Sequence, residues 1–189
     1  MKRILIALLA LAMVLSMAFA LASCNDDKKE NDTKETEKPV EKEPVAIPEG
    51  YVLYDNGKIT FAYPEKWTKT AGSVDIITNE SGVGNNITVS YEQYSDTYKE
   101  MTVEDFNTML KPYLEAAGMT VANVAVTQLK NGNEINVTKI AYSATANGVS
   151  MGQTLFVVAV GELNYIVTVT ETEADAALVN NVFNTLNVK

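Results

Sequence analysis

The chain of 189 residues contains no histidine and only one cysteine, Cys24. Histidine is the usual general base near neutral pH and the commonest ligand of transition metals, so neither role has its usual residue here. A lone cysteine excludes an intrachain disulfide. A serine nucleophile would need lysine or a carboxylate as its base, and no Ser-x-x-Lys sequence occurs. We therefore predict a protein that is not an enzyme and that has no cofactor, no metal and no catalytic residues.

Positive charge is also scarce. Residues 49–189 contain eight lysines, no arginine and 16 acidic residues, which leaves a net charge of −8. A field of that sign repels nucleic-acid backbones and anionic lipid surfaces, so nucleic acid is excluded as a partner. The many carboxylates leave a carboxylate-based hydrolase open as an alternative, although their spacing indicates no particular pair.

The N-terminal segment has the features of an export signal. Lys2 and Arg3 precede an apolar run of 19 residues, 4–22, that only Ser16 interrupts. The run ends in Leu-Ala-Ser-Cys at Cys24, and small residues at the exit of an apolar stretch are typical of secretory signals. This ending resembles the lipobox of bacterial lipoproteins, which implies cleavage before Cys24 and lipid attachment to its thiol. The predicted signal peptide is 1–23; an uncleaved transmembrane helix is the alternative.

Residues 24–48 are predicted to be the lipid anchor followed by a charged linker. The sequence after Cys24 mixes lysines with acids and has almost no large apolar side chain before Val45. Such a composition cannot bury a core, and we expect it to be disordered. The prediction is a protein on the extracytoplasmic face of the membrane, attached through lipid rather than through basic residues.

Residues 49–189 are predicted to form one α+β domain, with an antiparallel sheet of about seven or eight strands flanked by two helices. Asn-Gly pairs at 56–57, 131–132 and 147–148 supply the positive φ angles of tight hairpins. The run 155–160 has apolar side chains at both odd and even positions, which indicates a strand covered on both faces. In 134–144 the apolar parity shifts, which indicates either a bulge near Thr138 or burial on both sides.

Two segments have helical periodicity. The first follows Thr102, a suitable N-cap, and should be interrupted at Pro112 and end near Gly118. The second follows Thr172, with Glu173 and Asp175 in its first turn. Together with Glu171, these two acids could instead bind Ca²⁺, but capping is the interpretation that we favour.

The sequence Ile59-Thr60-Phe61-Ala62-Tyr63-Pro64-Glu65-Lys66-Trp67 resembles the PsbP-like superfamily. Its members run an apolar strand into Tyr-Pro-x-x-Trp and end in an amphipathic helix. The resemblance implies an antiparallel sheet sandwiched by helices, over roughly residues 50–189. It carries over no catalytic residues. From the residues themselves, we expect Phe61, Tyr63 and Trp67 to pack in the core.

The candidate binding surface is the tyrosine-rich stretch 91–98. Tyr91 continues the apolar row of its strand and is expected in the core, whereas Tyr94 and Tyr98 are candidates for an exposed surface. Aromatic rings among polar neighbours suit a protein or glycan contact. The alternative is a loop whose tyrosines hold it on its own sheet.

The function predicted from these observations is a lipid-anchored envelope protein with a non-catalytic binding or assembly domain. Its partner would be an envelope protein or a wall polymer. The alternatives are a carrier with a small-ligand pocket between sheet and helix and, less favoured, the carboxylate-based hydrolase.

Overall fold

The computed structural model describes residues 45–79, 82 and 84–189. The predicted signal, Cys24 and most of the predicted linker lie outside these residues. The strands are β1 (Tyr51–Asp55), β2 (Ile59–Pro64), β3 (Thr68–Thr70), β4 (Asp75–Thr78), β5 (Asn86–Gln93), β6 (Thr120–Lys130), β7 (Asn136–Ala146), β8 (Val149–Val160), β9 (Leu163–Glu171) and β10 (Asn187–Val188). The helices are α1 (Val103–Met109), α2 (Lys111–Ala116) and α3 (Ala176–Thr185), and a 3₁₀ turn spans Asp96–Tyr98. Among the described residues, no helix is both long enough and apolar enough to cross a bilayer.

Two antiparallel sheets form the domain. The main sheet has seven strands in the order β3-β4-β5-β9-β8-β7-β6, and the small sheet has the order β1-β2-β10. The predicted α+β architecture with an antiparallel sheet is therefore confirmed. The small sheet was not predicted as a separate layer, because β10 has two residues and is too short to show a periodicity of its own.

The main sheet is the middle layer. Helices α1 and α2 pack on one face, which we call the helix face, and the small sheet and α3 pack on the other. Strand β8 shows this directly, since Leu155 and Val157 belong to the helix-face core while Phe156 and Val158 belong to the opposite core. The prediction of a strand covered on both faces is confirmed for residues 155–158, whereas Ala159 is exposed and Val160 is half-buried.

Burial on both faces also explains why the apolar positions of β7 shift from odd to even residues. Its register with β8 runs without interruption from Thr138 to Ala146, so no bulge lies at Thr138. Val137 packs in one core and Ile140 in the other. Of the two interpretations, burial on both sides is correct. The irregularity lies in β6, between Ala122 and Ala125, where Asn123 has a φ of 54°.

The helices begin and end as their caps dictate. Thr102 and Asp105 form a capping box at the start of α1. Pro112 lies in the first turn of α2, so the chain breaks into two helices near Leu110 as predicted. The expected first turn of the second predicted helix was misplaced, because α3 begins at Ala176 and Asp175 is its N-cap, accepting the Leu178 N–H at 2.9 Å.

The hairpin turns divide into two kinds. At Asn147 and Gly148 both φ angles are positive, 51° and 79°, as a tight two-residue turn requires. The turn between β6 and β7 differs from the prediction. Asn131 is buried and the positive φ falls on Glu134, which makes a three-residue loop, 132–134. Gly132 is needed for space instead, because a Cβ there would lie 3.0 Å from the Asn184 carbonyl oxygen.

The aromatic motif after β2 is structural, as expected. Phe61 is fully buried, and Tyr63 and Trp67 are half-buried against the same core. Pro64 is the last residue of β2. These side chains contribute packing area between the small sheet and the main sheet.

Candidate functional site

The tyrosine-rich segment after β5 lies across one end of the main sheet. Its backbone is held at both ends: the Tyr94 N–H donates to the Glu162 carbonyl at 2.9 Å, and the Thr138 hydroxyl donates to the Tyr98 carbonyl at 2.7 Å. The Gln128 side-chain amide donates to the same Tyr98 carbonyl at 3.0 Å. Asn164 of β9 donates its side-chain amide to the Ser95 carbonyl at 3.2 Å, so the segment is fixed against strands β6, β7 and β9 rather than free in solvent.

The Tyr98 side chain turns inward. Its hydroxyl hydrogen bonds to the carboxylate of Glu92 on β5, and burial is the main reason why the pKa of Tyr98 lies well above its usual range. Burial also raises the pKa of Glu92, partly offset by the hydrogen bond from Tyr98. Tyr98 therefore anchors the segment, and its ring is half-buried.

Tyr94 faces the outer side of the same segment. Its hydroxyl donates to Asp96 at 2.6 Å, and the Lys99 ammonium lies 5.3 Å from the centre of its ring. Lys99 also pairs with Asp96 at 3.1 Å. The hydrogen bond from Tyr94 and the contact with Lys99 hold the pKa of Asp96 below its ordinary value. These three side chains make a polar, solvent-facing corner with an aromatic surface.

An open cleft of about 710 Å³ lies beside this corner. The turn 94–99 forms one side of it, and the end of β6 contributes Gln128, Leu129 and Lys130. Its apolar lining includes Val157 from the helix face of the sheet and Val137 from the opposite face, so the cleft is not confined to one face. Its volume is within the range of sites that bind ligands or peptide side chains. Both predicted surface residues, Tyr94 and Tyr98, line this cleft; their part in binding stays a prediction.

The cleft has a mixed polar and apolar lining. Its lining combines lysine, amide and hydroxyl donors with aromatic and aliphatic carbon. Glu134 is the one carboxylate in the described lining, and it lies 3.9 Å from the Lys130 ammonium. A glycoside hydrolase needs two carboxylates across its cleft, so this cleft does not have the arrangement that the hydrolase alternative requires.

The expectation for Tyr91 was wrong, because its side chain is 60% exposed. Strand β4 pairs with β5 only as far as Val89, opposite Asp75. No strand residue therefore flanks Tyr91 on that side. Its ring contacts the buried Tyr165 across the strand pair, with centroids 5.7 Å apart.

The acidic residues around the start of α3 serve as backbone acceptors. Glu171 accepts the Asp175 N–H at 2.6 Å, and Asp175 in turn caps the helix. This is the capping interpretation that the sequence favoured. Over 45–79, 82 and 84–189, no group of three or more potential ligands could hold a metal ion.

The space between the main sheet and α1–α2 is filled. Phe106, Leu110 and Leu114 from the helices are buried against Ile140 and Leu155. A carrier with a pocket between sheet and helix would need that space to be empty. The geometry therefore favours the open cleft at the end of the sheet over an interior pocket.

Two sets of side-chain hydrogen bonds that join distant parts of the fold were not predicted from the sequence. Tyr54 of β1 donates its hydroxyl to Asp75 of β4 at 2.7 Å, and Lys69 pairs with the same carboxylate at 3.4 Å. Asn131 donates its amide to the Phe183 and Leu186 carbonyls and accepts the N–H groups of residues 133 and 135. An acid inside the apolar run 74–77 was the only signal for the first group. For the second group, we interpreted Asn131 as part of an Asn-Gly hairpin turn and therefore did not expect its side chain to be buried.

No family model matches this chain, and no curated protein matches its sequence. Among solved structures, the cyanobacterial PsbP protein CyanoP from Synechocystis sp. PCC 6803 superposes with a TM-score of 0.53 at 11% identity, covering 80% of this chain and 100% of that one. A protein from Bacteroides thetaiotaomicron gives 0.46 at 11% identity, over 74% of this chain and 48% of the other, so this chain spans about half of that structure.

LpqN, which is involved in cell envelope biogenesis of Mycobacterium tuberculosis, gives a TM-score of 0.41 at 10% identity, over 74% of this chain and 90% of that one. Of these three structures, the CyanoP superposition has a TM-score above 0.5, and at 11% identity it speaks to fold alone. The superposition on CyanoP supports the fold that the resemblance implied. The domain has the PsbP-like α+β fold.

Proposed function

We propose that this protein is a lipid-anchored envelope protein whose domain binds a partner protein, without catalysis, at the cleft beside Tyr94 and Tyr98. The observation that carries the proposal is the cleft itself, whose lining combines aromatic and aliphatic side chains with polar and charged donors. Protein interfaces combine these features, with aromatic residues at the centre and a polar rim.

The anchor is inferred from the sequence. Cys24 follows Leu-Ala-Ser at the end of an apolar run, and two or more acyl chains on such a cysteine would give stable attachment where one chain is marginal. The lipid would keep the domain at the membrane surface on the extracytoplasmic side.

The backbone that lines the cleft is already ordered, which favours the binding of a partner. Because the backbone around Tyr94 and Tyr98 is already held by β6, β7 and β9, a partner would not have to order it, and less conformational entropy would be lost on association. The Tyr94 ring would be the main aromatic contact, since Tyr98 is used inward.

The proposal is tested with the full-length chain purified in detergent and immobilised, and challenged with the solubilised envelope proteins of the native host. We expect retention of a discrete partner by the wild-type chain and by a Tyr113→Ala control, whose ring on α2 lies outside the cleft lining. Tyr94→Ala should reduce that retention about tenfold, the loss of roughly 1.4 kcal/mol. Equal retention by Tyr94→Ala and the wild type would overturn the site.

A further inference from the structure

Strand β6 is a long free edge of the main sheet. It spans Thr120–Lys130, and among the strands of the described residues it pairs only with β7. The opposite edge of the same sheet, β3, has only three residues. Natural proteins shorten or block such edges because unpaired backbone groups attract another strand.

The turn between β6 and β7 determines which backbone N–H and C=O groups of β6 point away from β7. Asn131 N–H donates to the Ile135 carbonyl at 3.1 Å, so 131 and 135 form a hydrogen-bonded pair. In an antiparallel ladder such pairs alternate with pairs that are not bonded to each other. The pairs 129–137, 127–139 and 125–141 are therefore bonded inward. The N–H and C=O groups of Val126, Gln128 and Lys130 point away from β7.

These three residues form a regular, unblocked edge. The register shift of β6 ends at Ala125, and no proline follows it. Within the described residues, no hydrogen bond reaches the outward N–H or C=O groups of Val126, Gln128 or Lys130. The same residues lead into the cleft, since Gln128, Leu129 and Lys130 line its wall.

The charged side chains of β6 and of its neighbour β7 are lysines. Strand β6 has no acidic residue and ends in Lys130, whose one carboxylate neighbour in the described residues is the exposed Glu134 of the turn, at 3.9 Å. Lys139 on β7 lies directly opposite Thr127 and pairs with no carboxylate in the described part of the chain. In a domain with a net charge of −8, this is a margin where an acidic segment meets attraction rather than repulsion.

We propose that β6 binds an extended segment of another protein as an additional strand, at Val126–Lys130, with an acidic side chain of that segment placed beside Lys130. This inference rests on the proposed function and names the kind of partner that the cleft takes. Main-chain hydrogen bonds to the edge supply affinity, and the cleft selects the side chains that follow.

The probe for the test is a set of ten-residue peptides selected from a random display library against the full-length chain in detergent. Residue-resolved hydrogen exchange is then measured with and without the best peptide. The amides of Val126, Gln128 and Lys130 should exchange quickly in the free chain and at least about tenfold more slowly in the complex. The amides of Ala125, Thr127 and Leu129, already bonded to β7, should change little.

A matched pair of variants separates the contribution of the Gln128 backbone N–H to binding from that of its side chain. Gln128→Ala removes the amide contact to the Tyr98 carbonyl but keeps the outward N–H, whereas Gln128→Pro also removes that N–H. We expect Gln128→Pro to weaken peptide binding about tenfold relative to Gln128→Ala, the equivalent of one hydrogen bond. Lys130→Glu should weaken binding more than Lys130→Gln and should favour selection of basic peptides.

If Gln128→Pro does not fold, the exchange measurement on the wild-type chain decides alone. Selected peptides that protect the cleft side chains but leave the three outward amides unchanged would overturn the edge proposal and leave the cleft standing. Protection that grows with protein concentration in the absence of peptide would overturn it in favour of a second copy of this chain. Failure of Tyr94→Ala to affect retention bears on the proposed function, not on the edge.

Discussion

The hydroxyl of Tyr54 donates a hydrogen bond of 2.7 Å to the carboxylate of Asp75, and this contact joins the small sheet to the main sheet. The Tyr54 ring stacks on Phe61 with centroids 4.6 Å apart. Burial, followed by the hydrogen bond to Asp75, raises the pKa of Tyr54 well above its usual range. The hydroxyl therefore remains protonated, and a donor, at neutral pH.

Tyr54→Phe should lower the free energy of unfolding by about 1–2 kcal/mol at pH 7, because a hydrogen bond to a charged group is lost while the ring contact is kept. Lys69 remains beside Asp75 and limits the cost. Urea unfolding measures the change. The control is Tyr63→Phe, whose hydroxyl has no hydrogen-bond partner in the described residues; equal losses in both variants would contradict a special role for the Tyr54 hydroxyl.

Asn131→Ala should be more costly, about 2–4 kcal/mol. The change leaves the buried carbonyls of Phe183 and Leu186 and the N–H of Ile135 without their amide partner, and each unsatisfied buried group costs about 1–3 kcal/mol. Asn133 also donates to the Leu186 carbonyl at 3.1 Å and offsets part of the loss. Thermal or urea unfolding checks this, with the exposed Asn136→Ala as control. A loss below that of the control would contradict the buried role.

These two groups show which part of the fold was predictable. The alternation within β5, the continuous apolar run of β8, the N-cap Thr102 and the break at Pro112 are local patterns, and they predicted most strands and the broken helix. The Tyr54 contact joins residues 21 positions apart, and the Asn131 contacts span more than 50. No local pattern encodes such pairs, because only the packing of α3 on the turn 131–135 determines that the amide is buried.

The candidate site was predictable only in part. The tyrosine spacing pointed to the segment that lines the cleft, but Tyr91 is exposed rather than in the core, and Tyr98 is half-buried rather than fully exposed. Tyr91 is exposed because β4 ends beside Val89, and Tyr98 turns inward because Glu92 lies beneath it. The cleft depends on Lys130 and Gln128 from a strand 30 residues further along, which the sequence does not bring together.

Glu92 should make stability depend on pH. Burial raises its pKa in the folded state above the ordinary value of 4.5, so the folded chain binds this proton more tightly than the unfolded chain does. The contribution of Glu92 is therefore full below the unfolded pKa and is lost as pH rises through the raised folded pKa. Urea unfolding between about pH 4 and 8 should show that slope in the wild type and not in Glu92→Gln.

Tyr98→Phe makes the same slope steeper. The hydrogen bond from Tyr98 lowers the pKa of Glu92, so its removal raises that pKa further and widens the pH window over which stability is lost. Carboxyl-carbon nuclear magnetic resonance of Glu92 measures the titration directly. An unchanged titration in Tyr98→Phe would show that the two side chains do not interact in solution.

Cys24→Ser tests the anchor. If the cysteine carries lipid, the variant loses incorporation of radiolabelled palmitate, keeps its signal segment and migrates more slowly in electrophoresis. Ser23→Ala, which keeps a small residue before the cysteine, should behave as the wild type. Unchanged labelling and unchanged mobility of Cys24→Ser would contradict lipidation of this thiol.

The central claim is that a partner protein binds at the cleft and the neighbouring edge. The most direct measurement is photocrosslinking in the native host with p-benzoylphenylalanine placed at Leu129 or, as a matched control, at Val149. Both side chains are apolar, lie on strands and are similarly exposed, at 39% and 45%, but only Leu129 lines the cleft. The account predicts a discrete protein adduct from position 129 that is absent from position 149. The same adducts from both positions, or none from position 129, would contradict it.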